Sequence, residues 1–192
     1  VVTMVISANP ASGKTFLTMN LAMSLAIKKK RVVVVDLDMR KAATSKYVRK
    51  PQVGISSYLN GQCELKDIIH RYDGVDLDVI PVGMIPPNPT ELLYDERLAE
   101  AIEQLRKDYD YVFIDCPPVE VVADSSIIAP FADISLFVVR AYLLERSMLP
   151  DVEMFYKSQR YPNMFMVLNG TESGSGYGYR KYGYRYGYRY GY

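Results

Sequence analysis

Short, continuously apolar runs alternate along this chain with segments whose apolar residues recur at helical spacing. The runs predict strands at 1–7, 31–36, 76–81, 110–115, 133–139 and 163–168. The helical spacing predicts helices at 13–29, 54–60, 64–71, 89–107, 122–130 and 147–160. Continuously apolar strands are typical of parallel strands that are covered on both faces. The alternation therefore predicts an α/β fold with a doubly wound, mostly parallel sheet flanked by helices.

The segment 89–107 carries the clearest start signal for a helix. Asn88 stands at the N-cap position, Pro89 lies in the first turn, and Glu91 follows three residues after the cap. Five apolar residues of the segment keep a period of about 3.6 residues. They are Tyr94, Leu98, Ala101, Ile102 and Leu105. This pattern predicts one continuous helix.

A phosphate-binding loop lies between the first predicted strand and the first predicted helix. It reads Ala8-Asn9-Pro10-Ala11-Ser12-Gly13-Lys14-Thr15. Consecutive backbone N–H groups and the positive end of the helix form a nest for phosphates. An exposed Lys14 can reach the β and γ phosphates, and the Thr15 hydroxyl can bind Mg²⁺. Although Ala8 replaces the first glycine of the motif, the context predicts binding of a nucleoside triphosphate.

Three aspartates follow apolar strands. Asp36 and Asp38 come directly after one run of valines, and Asp115 ends the strand 110–115. Ligands of a doubly wound sheet bind at the carboxyl ends of its strands, where the phosphate-binding loop also lies. Each aspartate alone also fits a turn or a cap. Three of them beside one phosphate-binding loop favour a site for Mg²⁺ and catalysis.

Composition fits one domain, which we place at residues 1–170. The chain has 192 residues, is 49% hydrophobic and has a net charge of +1, which gives no reason to expect a nucleic acid or an acidic membrane as partner. Cys63 and Cys116 lack metal-binding spacing and fit reduced cytosolic thiols. No apolar run is long enough to span a membrane. Because Val1 lies inside the first predicted strand, we expect an excised piece of a longer protein.

Residues 171–192 form a predicted flexible, tyrosine-rich tail. Its aromatic residues are Tyr177, Tyr179, Tyr182, Tyr184, Tyr186, Tyr188, Tyr190 and Tyr192. From Tyr177 onward the tail has no aliphatic side chain, and glycines separate many of the rings, so it has no means of packing a core alone. An adhesive tail or stacking on single-stranded nucleic acid are alternatives. A phosphoryl-transfer site on the same chain favours tyrosines that accept phosphate.

Together these motifs resemble the bacterial tyrosine kinases (BY-kinases), which are attached to capsule and exopolysaccharide export systems. The matching segments are Ser7 to Thr15, Asp36-Leu37-Asp38-Met39-Arg40, Val112 to Pro118, Gly83 to Leu93 and the tyrosine cluster. The resemblance covers essentially the whole chain. Two departures are visible: Ala11 stands where the family usually has glycine, and the arginine-bearing helix that members use to assemble rings does not precede the first strand here.

The resemblance implies an ATP-dependent protein-tyrosine kinase that phosphorylates its own tyrosine cluster. The short tether between Asn169 and Tyr177 favours transfer between chains. Lys14, Asp36, Asp38 and Asp115 would be catalytic, with Asp36 activating the phenol. Mg²⁺ would be held by Thr15, Asp36, Asp38 and Asp115. ATP would contact Asn9, Pro10, Ala11, Ser12, Gly13, Lys14, Thr15, Phe16, Arg40 and Asn169, the last at adenine.

The resemblance also implies partners and a location. Other copies of the chain, a membrane-embedded activator of the polysaccharide co-polymerase type and a counteracting tyrosine phosphatase are expected, and a nucleic acid is not. The kinase would act at the cytoplasmic face of the bacterial inner membrane, with this piece itself soluble.

Because the last predicted strand is parallel to the first, the tail should leave at the active-site edge. The 22 residues after Gly170 would span about 25 Å.

Two other classes of function stay open. A partner-switching ATPase of the partition or division-site type would have the same fold. Those proteins usually carry a lysine early in the phosphate-binding loop, where this chain has Asn9, and they lack a tyrosine-rich tail. A nucleic-acid-binding module that uses the tail would bind in a strongly salt-dependent way.

Overall fold

A central sheet organises the protein, of which the computed structural model describes residues 1–48, 52–119 and 124–171. Within these residues the strands are β1 (Val2–Ile6), β2 (Val32–Asp36), β3 (His70–Arg71), β4 (Leu77–Ile80), β5 (Tyr111–Asp115), β6 (Ile134–Arg140) and β7 (Met164–Asn169). They lie in the order β3-β4-β2-β5-β1-β6-β7, and all pairs except β3–β4 are parallel. The predicted mostly parallel sheet is confirmed.

Helices cover the two faces of this sheet. In the described part of the chain they are α1 (Lys14–Ile27), α2 (Ile55–Leu59), α3 (Pro89–Leu93), α4 (Glu96–Asp108), α5 (Asp124–Ile128) and α6 (Leu149–Lys157). On one face Met19 and Ala22 of α1 pack with Val34 and Phe113. The other helices contribute to the core on the opposite face. The inner strands β1, β2 and β5 are buried on both sides, which explains their continuous apolar runs.

The phosphate-binding loop leaves the sheet at its topological switch point. Strand β1 lies between β5 and β6, and the chain first turns from β1 toward β2 and later returns to β6 on the other side. Ligands of such sheets bind in the crevice that opens at this reversal. The order of the strands therefore places the candidate site at the carboxyl end of β1.

The prediction of one helix over 89–107 is wrong. The segment forms two helices, α3 and α4, that are separated at Tyr94 and Asp95. The Asp95 side chain accepts a hydrogen bond from the backbone N–H of Arg97 and so caps α4. Tyr94 is consequently exposed, whereas the four other apolar residues of the predicted stripe are buried in α4.

The prediction of a helix over 64–71 is also wrong in its second half. A 3₁₀ turn at Leu65–Ile68 is closed by a reciprocal capping pair, Glu64 and Asp67. His70 and Arg71 then form β3, which pairs antiparallel with β4. The capping residues are local, but the strand depends on β4, which follows it in the chain.

The tail tyrosines from Tyr177 to Tyr192 lie outside the described residues, so their assignment as acceptors and the division of the chain at residue 170 stay predictions. Across the ranges that the structure describes, no helix combines the length and the apolar character needed to cross a bilayer.

Candidate active site

The phosphate-binding loop is held in a strained conformation. Ala11 has a φ of 61° and Gly13 a φ of 94°, both in the left-handed region. This region costs an alanine about 1 kcal/mol or more, which explains why glycine suits position 11 better. The Ser12 and Ser7 hydroxyls both donate to the backbone oxygen of Asn9, each over 2.8 Å. These hydrogen bonds hold the turn between β1 and α1.

Lys14 is buried, and the expectation of an exposed lysine is wrong. Its side chain is 7% exposed, and Nζ donates to Ser7 Oγ over 3.1 Å. Burial lowers the pKa of Lys14, while the nearby carboxyls of Asp115 and Asp38 act in the opposite direction. The ammonium group is therefore positioned before any phosphate arrives, close to the carboxyls that follow β2 and end β5.

Thr15 and Asp115 form a contact suited to Mg²⁺. The Thr15 hydroxyl donates to Asp115 Oδ2, while Asp115 Oδ1 is buried without a hydrogen-bond partner. Burial and the neighbouring Asp36 raise the pKa of Asp115 to about 8. A buried oxygen without a partner is costly unless a cation or a donor satisfies it. The donor set of these two residues therefore fits the predicted metal.

The carboxyls do not form a complete metal cage by themselves. Among the described residues, no three histidine, cysteine, aspartate or glutamate side chains converge on a common metal position. Mg²⁺ usually takes one or two carboxylates and completes its shell with water and substrate phosphates. The site is consistent with that mode of binding, in which the nucleotide supplies the remaining ligands.

Asp36 is fully buried and its orientation is fixed by its neighbours. Oδ1 accepts the backbone N–H of Asp38 over 3.0 Å, and Oδ2 accepts from the backbone N–H and the hydroxyl of Thr44 over 2.9 and 2.7 Å. Asp36 is also paired in register with Asp115 on the adjacent strand. Burial raises the pKa of Asp36 to about 6, although the hydrogen bonds from Thr44 lower it. Asp36 is thus a more basic carboxylate than an ordinary one.

Thr44 is a site residue that the sequence analysis missed. It lies in the 3₁₀ turn Ala43–Tyr47, and it is fully buried against Asp36. No motif marks this threonine, because its contact depends on the path of the loop that follows β2. A general rule would have helped: a buried carboxylate needs donors, and hydroxyl residues shortly after it are candidates.

Arg40 contacts α3 and α5. Its guanidinium donates to Thr90 Oγ1 over 3.1 Å and to Asp124 Oδ2 over 3.4 Å. The Thr90 hydroxyl donates to Asp124 Oδ1 over 2.8 Å, and the Asp124 side chain is almost fully buried. These contacts attach the loop after β2 to two helices. Contact between Arg40 and a nucleotide stays a prediction.

Asn169 lies directly against the phosphate-binding loop. Its Nδ2 donates to Ser12 O over 2.9 Å, and Arg140 at the end of the adjacent strand donates to Ala11 O over 2.7 Å. The structure therefore brings together the loop, the three aspartates and Asn169. Recognition of adenine by Asn169 stays a prediction. Contacts of ATP with the loop residues 9–15 and with Phe16, whose ring is exposed, also stay predictions.

We expect Gly13→Ala to destabilise the protein more than Gly74→Ala. Both glycines have a positive φ, so alanine costs backbone strain of about 1 kcal/mol at each. A Cβ at Gly13 would also stand 2.3 Å from Asn169 Nδ2, whereas nothing lies within 4 Å at Gly74. Urea unfolding should show the larger loss for Gly13→Ala, and titration with nucleotide should show weaker binding for that variant alone. Equal losses in the pair would contradict this packing.

Comparisons with known proteins agree with this geometry. A family model described as an AAA domain matches residues 3–144. The tyrosine-protein kinase wzc of Salmonella typhimurium is 39% identical over 140 residues, which make up 72% of this chain and 20% of that protein. The chain spans only about a fifth of the length of such curated relatives.

Solved structures give the same result. The kinase domain of Escherichia coli tyrosine kinase ETK is 31% identical, with a TM-score of 0.82 over 94% of this chain and 72% of that one. The septum site-determining protein MinD of Pyrococcus horikoshii, in complex with Mg-ADP, is 24% identical, with a TM-score of 0.72 over 87% of this chain and 69% of that one. The second likeness shows a shared fold alone. The first shows that this chain belongs to the bacterial tyrosine kinases and corresponds to their kinase domain.

Proposed function

We propose that this chain is an ATP-dependent protein-tyrosine kinase that phosphorylates the tyrosine tail of another copy of itself. The observation that carries the proposal is the pairing of Thr15 with Asp115, whose second oxygen is buried and unpartnered, beside Lys14 and an oriented Asp36. The same chain carries a run of tyrosines without a core-forming side chain. A phosphate donor site and a set of acceptors thus occur together.

The phosphate-binding loop and Lys14 bind and orient the triphosphate. Backbone N–H groups of the loop donate to its oxygens, and the ammonium group of Lys14 compensates charge on the β and γ phosphates. Thr15 and Asp115 would hold Mg²⁺, with Asp38 close enough in the chain to assist through water. When bound, this ion neutralises charge that develops on the phosphate oxygens. The positioned cations account for most of the expected catalysis.

Asp36 acts as the base for the incoming tyrosine. The phenol oxygen forms a bond to the γ phosphorus, the bond from that phosphorus to the bridging oxygen breaks, and the phenol proton passes to Asp36. A phenol has a pKa of about 10, so a carboxylate with a raised pKa accepts its proton more easily than an ordinary one.

Transfer takes place between chains for the tyrosines nearest the domain. Asn169 contacts the phosphate-binding loop, so the tail starts beside the site. Tyr177 follows Gly170 by only seven residues, too few to turn back and present its hydroxyl to the same site in line with the γ phosphate. A neighbouring copy accepts this tyrosine without such a reversal.

The longer relatives indicate the cofactors, partners and location of this activity. ATP and Mg²⁺ are the cofactors, and a membrane-embedded activator of the polysaccharide co-polymerase type and a tyrosine phosphatase are the further partners. The kinase works at the cytoplasmic face of the inner membrane, where it regulates synthesis and export of capsule or exopolysaccharide. Two findings support these assignments. The chain belongs to the bacterial tyrosine kinases, and it spans only about a fifth of the length of its curated relatives.

A partner-switching ATPase is the second candidate, since the fold is similar to that of MinD. Such an enzyme would hydrolyse ATP and change its assembly without forming phosphotyrosine. Asn9 in place of the lysine typical of that class, and the tyrosine-rich tail, favour the kinase.

A mixing experiment tests both the activity and its direction. A Lys14→Met chain, which can accept but not donate, is combined with ATP and a wild-type chain truncated after Gly170, which can donate but not accept. Mass spectrometry should find phosphotyrosine between residues 177 and 192 of the Lys14→Met chain, at a rate that rises with donor concentration. Full-length protein that hydrolyses ATP without forming phosphotyrosine would favour the ATPase. Autophosphorylation that is unaffected by dilution, with no transfer in the mixture, would contradict transfer between chains.

A further inference from the structure

Strand β7 presents one free backbone edge. The oxygens of Asn163 and Asn169 accept hydrogen bonds from Ser135 and Ala141, on the side of β6. Because backbone groups alternate in direction along a strand, the N–H and C=O groups of Met164, Met166 and Leu168 point away from β6. In the sheet that the structure describes, no strand lies on that side.

The free edge is apolar and lacks the usual protection. Phe165, Met166 and Leu168 are each more than half exposed, and they lie on both faces of the strand. Residues 164–169 contain no lysine, proline or glycine, which are the residues that commonly keep an edge strand from pairing. A cleft of about 620 Å³, lined by Tyr156, Lys157 and residues 159 and 161–165, adjoins the start of this strand. The edge therefore has the properties of a docking surface for an extended segment.

The end of the chain has the sequence pattern of such a segment. From 182 to 192 every even position is tyrosine, and every odd position is glycine or arginine. An extended backbone places all six rings on one face, and tyrosine favours strands. The tyrosines at 177 and 179 have the opposite parity, and Arg180-Lys181 separates them from the alternating part.

We propose that residues 182–192 add to the free edge of β7 of the same chain as an antiparallel strand. The tail begins where β7 ends, so a segment that returns along the edge runs antiparallel to it. Residues 170–181 are the connection, and Gly170 has a φ of 68° that already turns the chain. A short tether gives an effective concentration of the order of millimolar, which favours the chain's own edge over a neighbour's. This return brings the last tyrosines toward the cleft at the start of β7.

Docking would also regulate the tail, a consequence that rests on the proposed function. Each phosphate adds about −1.5 to −2 charges, and rings on one face of a strand are about 7 Å apart. Several phosphates would repel one another and would lose water against the exposed apolar side chains of β7, which are Met166 and Leu168 on one face and Phe165 on the other. Lys157 beside the cleft is already paired with Glu153 over 2.6 Å. Phosphorylation therefore releases the strand, and the docked tail is the resting form.

Hydrogen exchange in the full chain tests the docking independently of kinase activity. The protein is first treated with a tyrosine phosphatase and kept free of nucleotide. Wild type is compared with a Gly183→Pro, Tyr186→Pro chain and with a matched Gly183→Ala, Tyr186→Ala chain. Positions 183 and 186 have opposite parity, so one proline removes a donor toward β7 in either register. The amides of Met166 and Leu168 should exchange about tenfold faster or more in the proline chain than in the other two.

Three outcomes are decisive. Equal exchange in all three chains, or slow exchange that persists in the proline chain, would overturn the docking. Protection that increases with protein concentration would overturn docking within one chain and indicate that a second copy covers the edge. In a sample whose phosphotyrosine content is verified by mass spectrometry, faster exchange at Met166 and Leu168 supports release, and unchanged slow exchange overturns it.

Discussion

Lys14→Met is expected to reduce autophosphorylation by about a hundredfold to a thousandfold or more while the domain stays folded. The lost ammonium group compensates charge on the transferred phosphoryl group, and removal of one such positioned group costs about this factor. The fold tolerates the change because Lys14 is buried and methionine keeps most of its aliphatic length. The hydrogen bond from Nζ to Ser7 is lost, but an ammonium group no longer has to be desolvated. Radiolabelled phosphate incorporation and urea unfolding measure the two effects.

The matched control is Lys30→Met. Lys30 is exposed after the end of α1, where a lysine-to-methionine change removes the same charge away from the site. This variant should keep wild-type activity. A Lys14→Met chain that retains kinase activity, or one that is unfolded under conditions where Lys30→Met is folded, would contradict the role given to Lys14.

Asp36→Asn is expected to lower turnover by about a hundredfold to ten-thousandfold and to change nucleotide affinity only a few-fold. A general base acts in the transition state, so its loss appears in kcat rather than in binding. The amide keeps the shape of the carboxylate but has one oxygen in place of two. That oxygen can still accept from Thr44, while the NH2 group faces the backbone N–H of Asp38 and loses that hydrogen bond, and the amide no longer removes a proton. Single-turnover phosphorylation and titration with a fluorescent nucleotide separate the two quantities.

Thr44→Val tests how the neighbouring hydroxyl sets the pKa of Asp36. The change removes the hydroxyl donor to Asp36 but keeps the backbone N–H donor, so the pKa of Asp36 should rise. Because the ionised form is the active one, the acidic side of the profile of kcat against pH should move to higher pH.

For Asp36→Asn, a loss of nucleotide binding as complete as the loss of turnover would contradict the role of Asp36 as a base. That result would indicate that Asp36 holds the metal or the loop.

Local patterns predict most of the elements that build the site. The apolar runs give six strands of the sheet, and the inner strands β1, β2 and β5 leave a continuous hydrophobic signal because they are buried on both faces. The phosphate-binding loop and the two acidic motifs are contiguous in the chain, so they are recognised without knowledge of the fold. The resemblance to the bacterial tyrosine kinases, confirmed by the comparisons, rests on these contiguous segments and on the tyrosine cluster.

Other features of the fold were not predicted from these local patterns. The break between α3 and α4 was missed because the helical period continues across Asp95, although this residue caps the second helix. Strand β3 was missed because two residues carry little pattern and pair only with β4. The Arg40 contact with Asp124 joins residues 84 positions apart, for which the sequence has no signal.

The sequence alone determined the kind of chemistry, because the groups that bind phosphate and Mg²⁺ occur in short motifs with fixed spacing. The tertiary structure decided how each group is tuned. Burial of Lys14 and the fixed orientation of Asp36 follow from packing around them, and desolvation by that packing shifts their pKa values. The contact of Asn169 with Ser12 joins residues 157 positions apart. Only the parallel order of the strands brings these two ends of the chain to the same edge.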